Sequence, residues 1–128
     1  MIRKKWLAVV ALFGGSLCAQ NPIVPPGVFA ADPEGHQWKD GRLYLYVSRD
    51  ESPDFYCSWR YDLLSTDDLK NWTIHRDAFA SKGPNDEVPY SDGELYASDA
   101  AYKDGKYYLY YSMRDAIDEG VAVADAPA

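Results

Sequence analysis

This 128-residue chain has two cysteines, two histidines, fewer basic than acidic residues, and no apolar run long enough to cross a membrane. Cys18 and Cys57 cannot build a disulfide framework once Cys18 leaves with an export signal, so the fold must rest on a packed core. Cys57 lies in a tyrosine-rich stretch and reads as a packed thiol rather than a nucleophile. His36 and His75 stand far apart without clustered cysteine or carboxylate, which argues against a zinc site, and no other metal or cofactor is expected. Lys and Arg number 13 against 20 Asp and Glu, so no basic patch exists to hold a phosphate backbone. Phosphate loops, zinc-protease helices and nucleophile elbows are also missing.

The longest apolar stretch, Trp6 to Phe13, falls well short of the roughly 20 residues a spanning helix needs. It follows Arg3, Lys4 and Lys5 and precedes the small residues of Ser16 to Gln20. That order is the pattern of a secretory signal peptide over residues 1–19, cleaved near Cys18 or Ala19. A lipid anchor on Cys18 is the alternative, opposed by the bulk of Leu17. Without the three leading basic residues the mature chain has 10 Lys and Arg against 20 acids, a net charge of −10. The expectation is a secreted or periplasmic protein, with neutral or cationic ligands, no nucleic acid partner, and no membrane attachment after cleavage.

Tyrosine is what the chain has in quantity, 11 residues in all. Arg42 to Ser48 and Lys106 to Met113 are dense in Tyr, Leu and Val, which suits a pleated, half-buried surface. Asp40-Gly41 and Asp104-Gly105 precede these segments, 64 positions apart, and each reads as a type I′ hairpin turn. Ser58 to Ser65 and Trp72 to His75 give two further strands between them, and Gly120 to Ala124 follows the second hairpin. Four antiparallel strands per repeat predict an all-β chain with the blades of a β-propeller, about the first two of a larger ring. A β-sandwich would also supply short strands, but not the same hairpin twice at a fixed interval. Two blades cannot close a propeller, so further blades are expected beyond this chain or from another.

Small residues, Ala30, Ala31, Ala97, Ser98, Ala100 and Ala101, surround Asp32 and Asp99 and suit crowded innermost strands. Both aspartates are expected at equivalent places before their hairpins, facing one axial pocket. Carboxylates around a shared pocket are the equipment of glycoside hydrolysis, where one protonates the leaving oxygen and another activates water or attacks the sugar. The structural alternative is that Asp32 caps a turn before Pro33 and Asp99 accepts from backbone N–H groups. Ser65 to Trp72 reads as a scaffold turn, and most aromatic residues as packing between sheets.

The segments "NPIVPPGVFAADPEGHQWKDGRLYLYVSRDE", "LLSTDDLKNW", "YASDAAYKDGKYYLYYS" and "GVAVADAP" together resemble the opening of glycoside hydrolase family 43. The resemblance runs in order over nearly all of residues 20–128. It implies a secreted five-bladed β-propeller acting as an α-L-arabinofuranosidase or β-xylosidase on plant cell-wall arabinan or xylan, with inversion. By position, Asp32 in "ADP" matches the general base and Asp99 in "YASDA" the carboxylate that orients the general acid and adjusts its pKa. Many members have "WAPD" where this chain has Tyr96 to Asp99. The family's acid is a glutamate of a later blade, and Glu34, Glu51, Glu87, Glu94 and Glu119 all lie elsewhere in the pattern. The resemblance therefore implies that the chain lacks its acid and is inactive alone. Arg49 is a candidate rim contact for sugar hydroxyls, and His36 a structural or pocket-rim residue. A different class, a non-catalytic carbohydrate-binding or interaction module or a degenerate remnant, is the alternative.

Overall fold

The computed structural model describes residues 23–24, 26–51, 54, 56–114 and 119–128, so the expected signal over 1–19, with Cys18, lies outside the described residues. Among the described residues, seven strands form two antiparallel sheets. The first contains β1 (Ala30–Gln37), β2 (Leu43–Arg49), β3 (Arg60–Thr66) and β4 (Thr73–Ala80), in that order. The second contains β5 (Leu95–Lys103), β6 (Lys106–Met113) and β7 (Glu119–Ala124). The all-β expectation holds, and strand order follows chain order because every connection within a sheet joins neighbouring strands.

Alternation along each strand decides which side chains enter the core. On β2 and β3, Tyr44, Tyr46, Tyr61 and Leu63 point toward the second sheet. There Ala100 joins Tyr44, Tyr46 and Leu63 in one cluster, while Leu95, Tyr111 and Met113 join Tyr61 and Phe79 in another. Leu109 packs against both clusters. Val88, from the connection between the sheets, is fully buried in the Tyr61 cluster, and a bridge between Ser58, just ahead of β3, and Leu95 at the start of β5 joins the two sheets. Tyrosine thus fills the space between sheets, as its size and partly polar tip allow.

The two hairpin turns differ. Asp104 and Gly105 both have positive φ, 51° and 84°, as a type I′ turn requires. In the first hairpin only Gly41 does, at 82°, and its N–H donates to the Trp38 carbonyl at 3.0 Å. This corrects the expectation of a second type I′ turn. Lys39, Asp40 and Gly41 form a three-residue loop, a tight turn followed by a left-handed glycine. Asp40 holds it closed, accepting from the Arg42 N–H at 3.1 Å and the Tyr44 hydroxyl at 2.7 Å. Burial first, and then that bond to Asp40, push the Tyr44 hydroxyl up to about 12.

The extra loop residue changes the register of everything before it. Tyr46 and Tyr110 are 64 positions apart, but the residues that pair with them, Glu34 and Asp99, are 65 apart. Asp99 is therefore the counterpart of Glu34, and Asp32 that of Ala97. The expectation that Asp32 and Asp99 occupy equivalent places is corrected by this shift.

β4 is also longer than the sequence suggests. Leu63 pairs with His75 and Tyr61 with Phe79, so Arg76, Asp77 and Ala78 together face Asp62 alone. The charged bulge hides the continuation of the strand into Phe79 and Ala80.

Candidate active site

The first strand of each sheet, β1 and β5, carries a bulge at the same register. On β1, Asp32 and Pro33 stand opposite Val47, and on β5, Ala97 and Ser98 stand opposite Tyr111. An added residue bends a strand and re-aims its side chains, and such bulges are common beside active sites. Asp32 lies in its bulge with φ 47°, a left-handed conformation that costs a non-glycine residue about 1–3 kcal/mol. Its side chain stays exposed, with Ser48 Oγ 3.5 Å from Oδ2.

Asp32 also makes itself felt on the neighbouring hydroxyl. Burial pushes Tyr61 well above the ordinary tyrosine range, and the Asp32 carboxylate adds to that shift. The Tyr61 hydroxyl donates to the Tyr96 carbonyl on β5, so Asp32 sits beside the seam between the sheets.

Asp99 faces the same seam from the other side. Its Oδ1 accepts from the Ala100 N–H at 2.6 Å and from His36 Nε2 on β1 at 3.2 Å, while the side chain remains 65% exposed. His36 is held in turn. Its ring stacks on Trp38 at 4.6 Å and 7°, and Tyr46 meets it edge-on. Trp38 Nε1 donates to the Tyr46 hydroxyl, which donates to the Pro127 carbonyl.

Glu34 Oε1 lies 3.5 Å from His36 Nε2. The ligand atoms of Glu34, His36 and Asp99 lie within 4.8 Å of one another, close enough for a cation to bridge them. The His36–Asp99 hydrogen bond already accounts for that approach without one. The cluster escaped the sequence reading because its histidine and aspartate are 63 positions apart and meet only across two sheets. His75 takes no part, being bonded to Ser65 Oγ at 2.9 Å.

Arg49 is placed in a different network. Its guanidinium donates to both oxygens of Asp62 and to Asp77 Oδ1 at 2.7 Å, and Asp62 accepts further from Arg76 and the Asp77 N–H. Asp62 is only 2% exposed. Burial alone would raise its pKa, but the Arg49 hydrogen bonds, the Asp77 N–H and the two arginine charges more than offset this, leaving it below the ordinary value. The arrangement anchors the β4 bulge. It joins Arg49 to scaffold carboxylates, not to Asp32 or Asp99.

A cavity of about 360 Å³ between the sheets is lined by Leu63, Phe79, Ala100, Leu109 and the C-terminal residues, without either candidate aspartate. Tyr46, which packs on His36, also lines it. Cys57 is buried, and burial pushes its thiol up, only partly offset by a hydrogen bond with Tyr96, in line with a packed rather than reactive residue.

Residues 19–128 match the model of glycosyl hydrolases family 43. The chain belongs to that family. It is 34% identical over 113 residues to a xylosidase/arabinosidase of Bacteroides ovatus, covering 80% of this chain and 34% of that protein. A xylosidase/arabinosidase 43A of Humicola insolens is 36% identical over 111 residues, covering 78% of this chain and 33% of its own length. A beta-xylosidase of Xylanibacter ruminicola is 33% identical over 113 residues, covering 80% and 35%. The chain thus spans about a third of the length of these relatives.

Proposed function

We propose that the chain forms the first two blades of a secreted five-bladed glycoside hydrolase that removes xylosyl or arabinofuranosyl units with inversion. The observation that carries this reading is Asp32, a strained and exposed carboxylate in a bulge on the innermost strand, at the position of the family's "ADP" aspartate. Its strain is unneeded for hairpin closure, because Ala97 occupies the same bulge position without positive φ. Asp32 acts as general base on a water molecule. Asp99, anchored through one oxygen, supports a general acid supplied by a later blade.

The second sheet supports the reading of a larger ring. Its outward face exposes Tyr110, Val121 and Val123, apolar residues at register positions that the first sheet buries or partly buries against its neighbour. A third blade would cover them. Without the acid the proton transfer is lost, a contribution of about 10²- to 10⁴-fold.

The test compares the 128-residue chain with a chimera in which it replaces the matching third of the Bacteroides ovatus relative. Hydrolysis of 4-nitrophenyl β-xyloside and α-L-arabinofuranoside is expected from the chimera and not from the chain. NMR of the first-formed sugar should show the inverted anomer. Turnover by the isolated chain would contradict the assignment of the acid. A folded but inactive chimera, with glycan binding by the chain, would favour the non-catalytic module.

A further inference from the structure

We infer that His36 is a positioning residue for Asp99, fixing one carboxylate oxygen from the neighbouring sheet so that the other faces the site. This rests on the reading of Asp99 as part of that site. An aspartate side chain exposed to this degree would otherwise exchange among staggered rotamers, and a misplaced group loses much of its effect on the reaction.

The geometry supplies the two fixed points that hold it. The Ala100 N–H and His36 Nε2 both reach Oδ1, at 2.6 Å and 3.2 Å. Among the described residues Oδ2 has no such donor. The first contact comes from Asp99's own strand and ties the carboxylate locally. The second comes from β1 and ties it across the seam, so the position of Asp99 relative to Asp32 depends on His36.

His36 can serve because its ring does not move freely. It lies in parallel contact with Trp38, whose indole N–H is bonded to Tyr46, and the Tyr46 edge packs on the imidazole. Tyr46 is itself buried among Tyr44, Leu63 and Ala100. The chain of support therefore runs from the core through Tyr46, Trp38 and His36 to Asp99. In the second sheet Ala101 occupies the register position of His36, so the repeat alone does not call for an imidazole there.

Two substitutions separate the donor from the ring. His36→Phe keeps a flat ring on Trp38 without the donor, and His36→Gln restores an N–H near the position of Nε2. In the 128-residue chain, three-bond couplings from Asp99 Cγ to the backbone N and C′ read its χ1 angle. The wild type and His36→Gln should show one rotamer and His36→Phe an average. An unchanged single rotamer in His36→Phe would overturn the inference, and His36→Ala is read in the same way if the phenyl ring is not accommodated.

In the chimera, His36→Phe should lower kcat about 10- to 100-fold with KM nearly unchanged, the loss expected for one charge-assisted hydrogen bond. Asp99→Asn in the same background keeps the two claims apart. If Asp99→Asn leaves kcat intact, the reading of the site fails. If it is severe while His36→Phe and His36→Ala are both harmless, only the role of His36 fails.

Discussion

Leu63 and Val121 hold the same register position in the two sheets, opposite Tyr46 and Tyr110, yet Leu63 is 1% exposed and Val121 49%. The tyrosines differ likewise, 7% against 44%. One strand pattern therefore serves both sheets, and the neighbour decides whether its apolar face becomes core or surface. The same comparison isolates the chemistry. Pairing aligns Glu34 with Asp99 and Asp32 with Ala97, so the scaffold repeats while the strained carboxylate does not.

Substitutions at paired positions of the two sheets should have unequal effects. The largest effect on stability is expected for Asp62→Ala, which strands Arg49 beside a buried gap and should cost about 3–5 kcal/mol by urea unfolding. Its counterpart in the second sheet is Gly120, which has no such network. Leu63→Ala should cost about 2–5 kcal/mol. Val121→Ala should change stability by less than about 0.5 kcal/mol in the isolated chain. Equal losses at both positions would mean that the second sheet's outer face is already covered.

Gly120→Ala should cost about 1–3 kcal/mol, because a Cβ there would meet the Tyr111 ring at 2.2 Å. The ring cannot easily yield, since it packs on Phe79 and bonds the Tyr90 hydroxyl. Thermal unfolding measures this loss directly.

A smaller, graded effect comes with pH. Asp62 has a lowered pKa in the folded chain, so its ionised form stabilises the fold above the ordinary aspartate range, near pH 4. That contribution disappears as pH falls through the lowered value. Asp62→Asn should flatten the loss of Tm over this acid window, and an unchanged slope would show that other carboxylates dominate it.

Much of the scaffold was legible in the sequence because local chemistry decides it. Asp104-Gly105 is a type I′ turn by backbone geometry, and the tyrosine strands alternate as their packing requires. Asp40-Gly41 misled because the same dipeptide can end a three-residue loop, and only the pairing of Glu34 with Tyr46 reveals the shift. Phe79 and Ala80 were missed as strand because the Arg76–Asp77 bulge looks like a loop until Asp62 and Arg49 surround it. Arg49 was legible as a strand-end cation, but not its partners. His36 was visible only as a lone histidine, since stacking on Trp38 and bonding to Asp99 are tertiary events.

The proposed reaction depends most on Asp32. Asp32→Asn in the active chimera removes the proposed base while keeping size and most local contacts. It should lower kcat about 10²- to 10⁴-fold with an unchanged melting temperature. Near-normal turnover by a folded Asp32→Asn chimera would contradict the role given to this carboxylate.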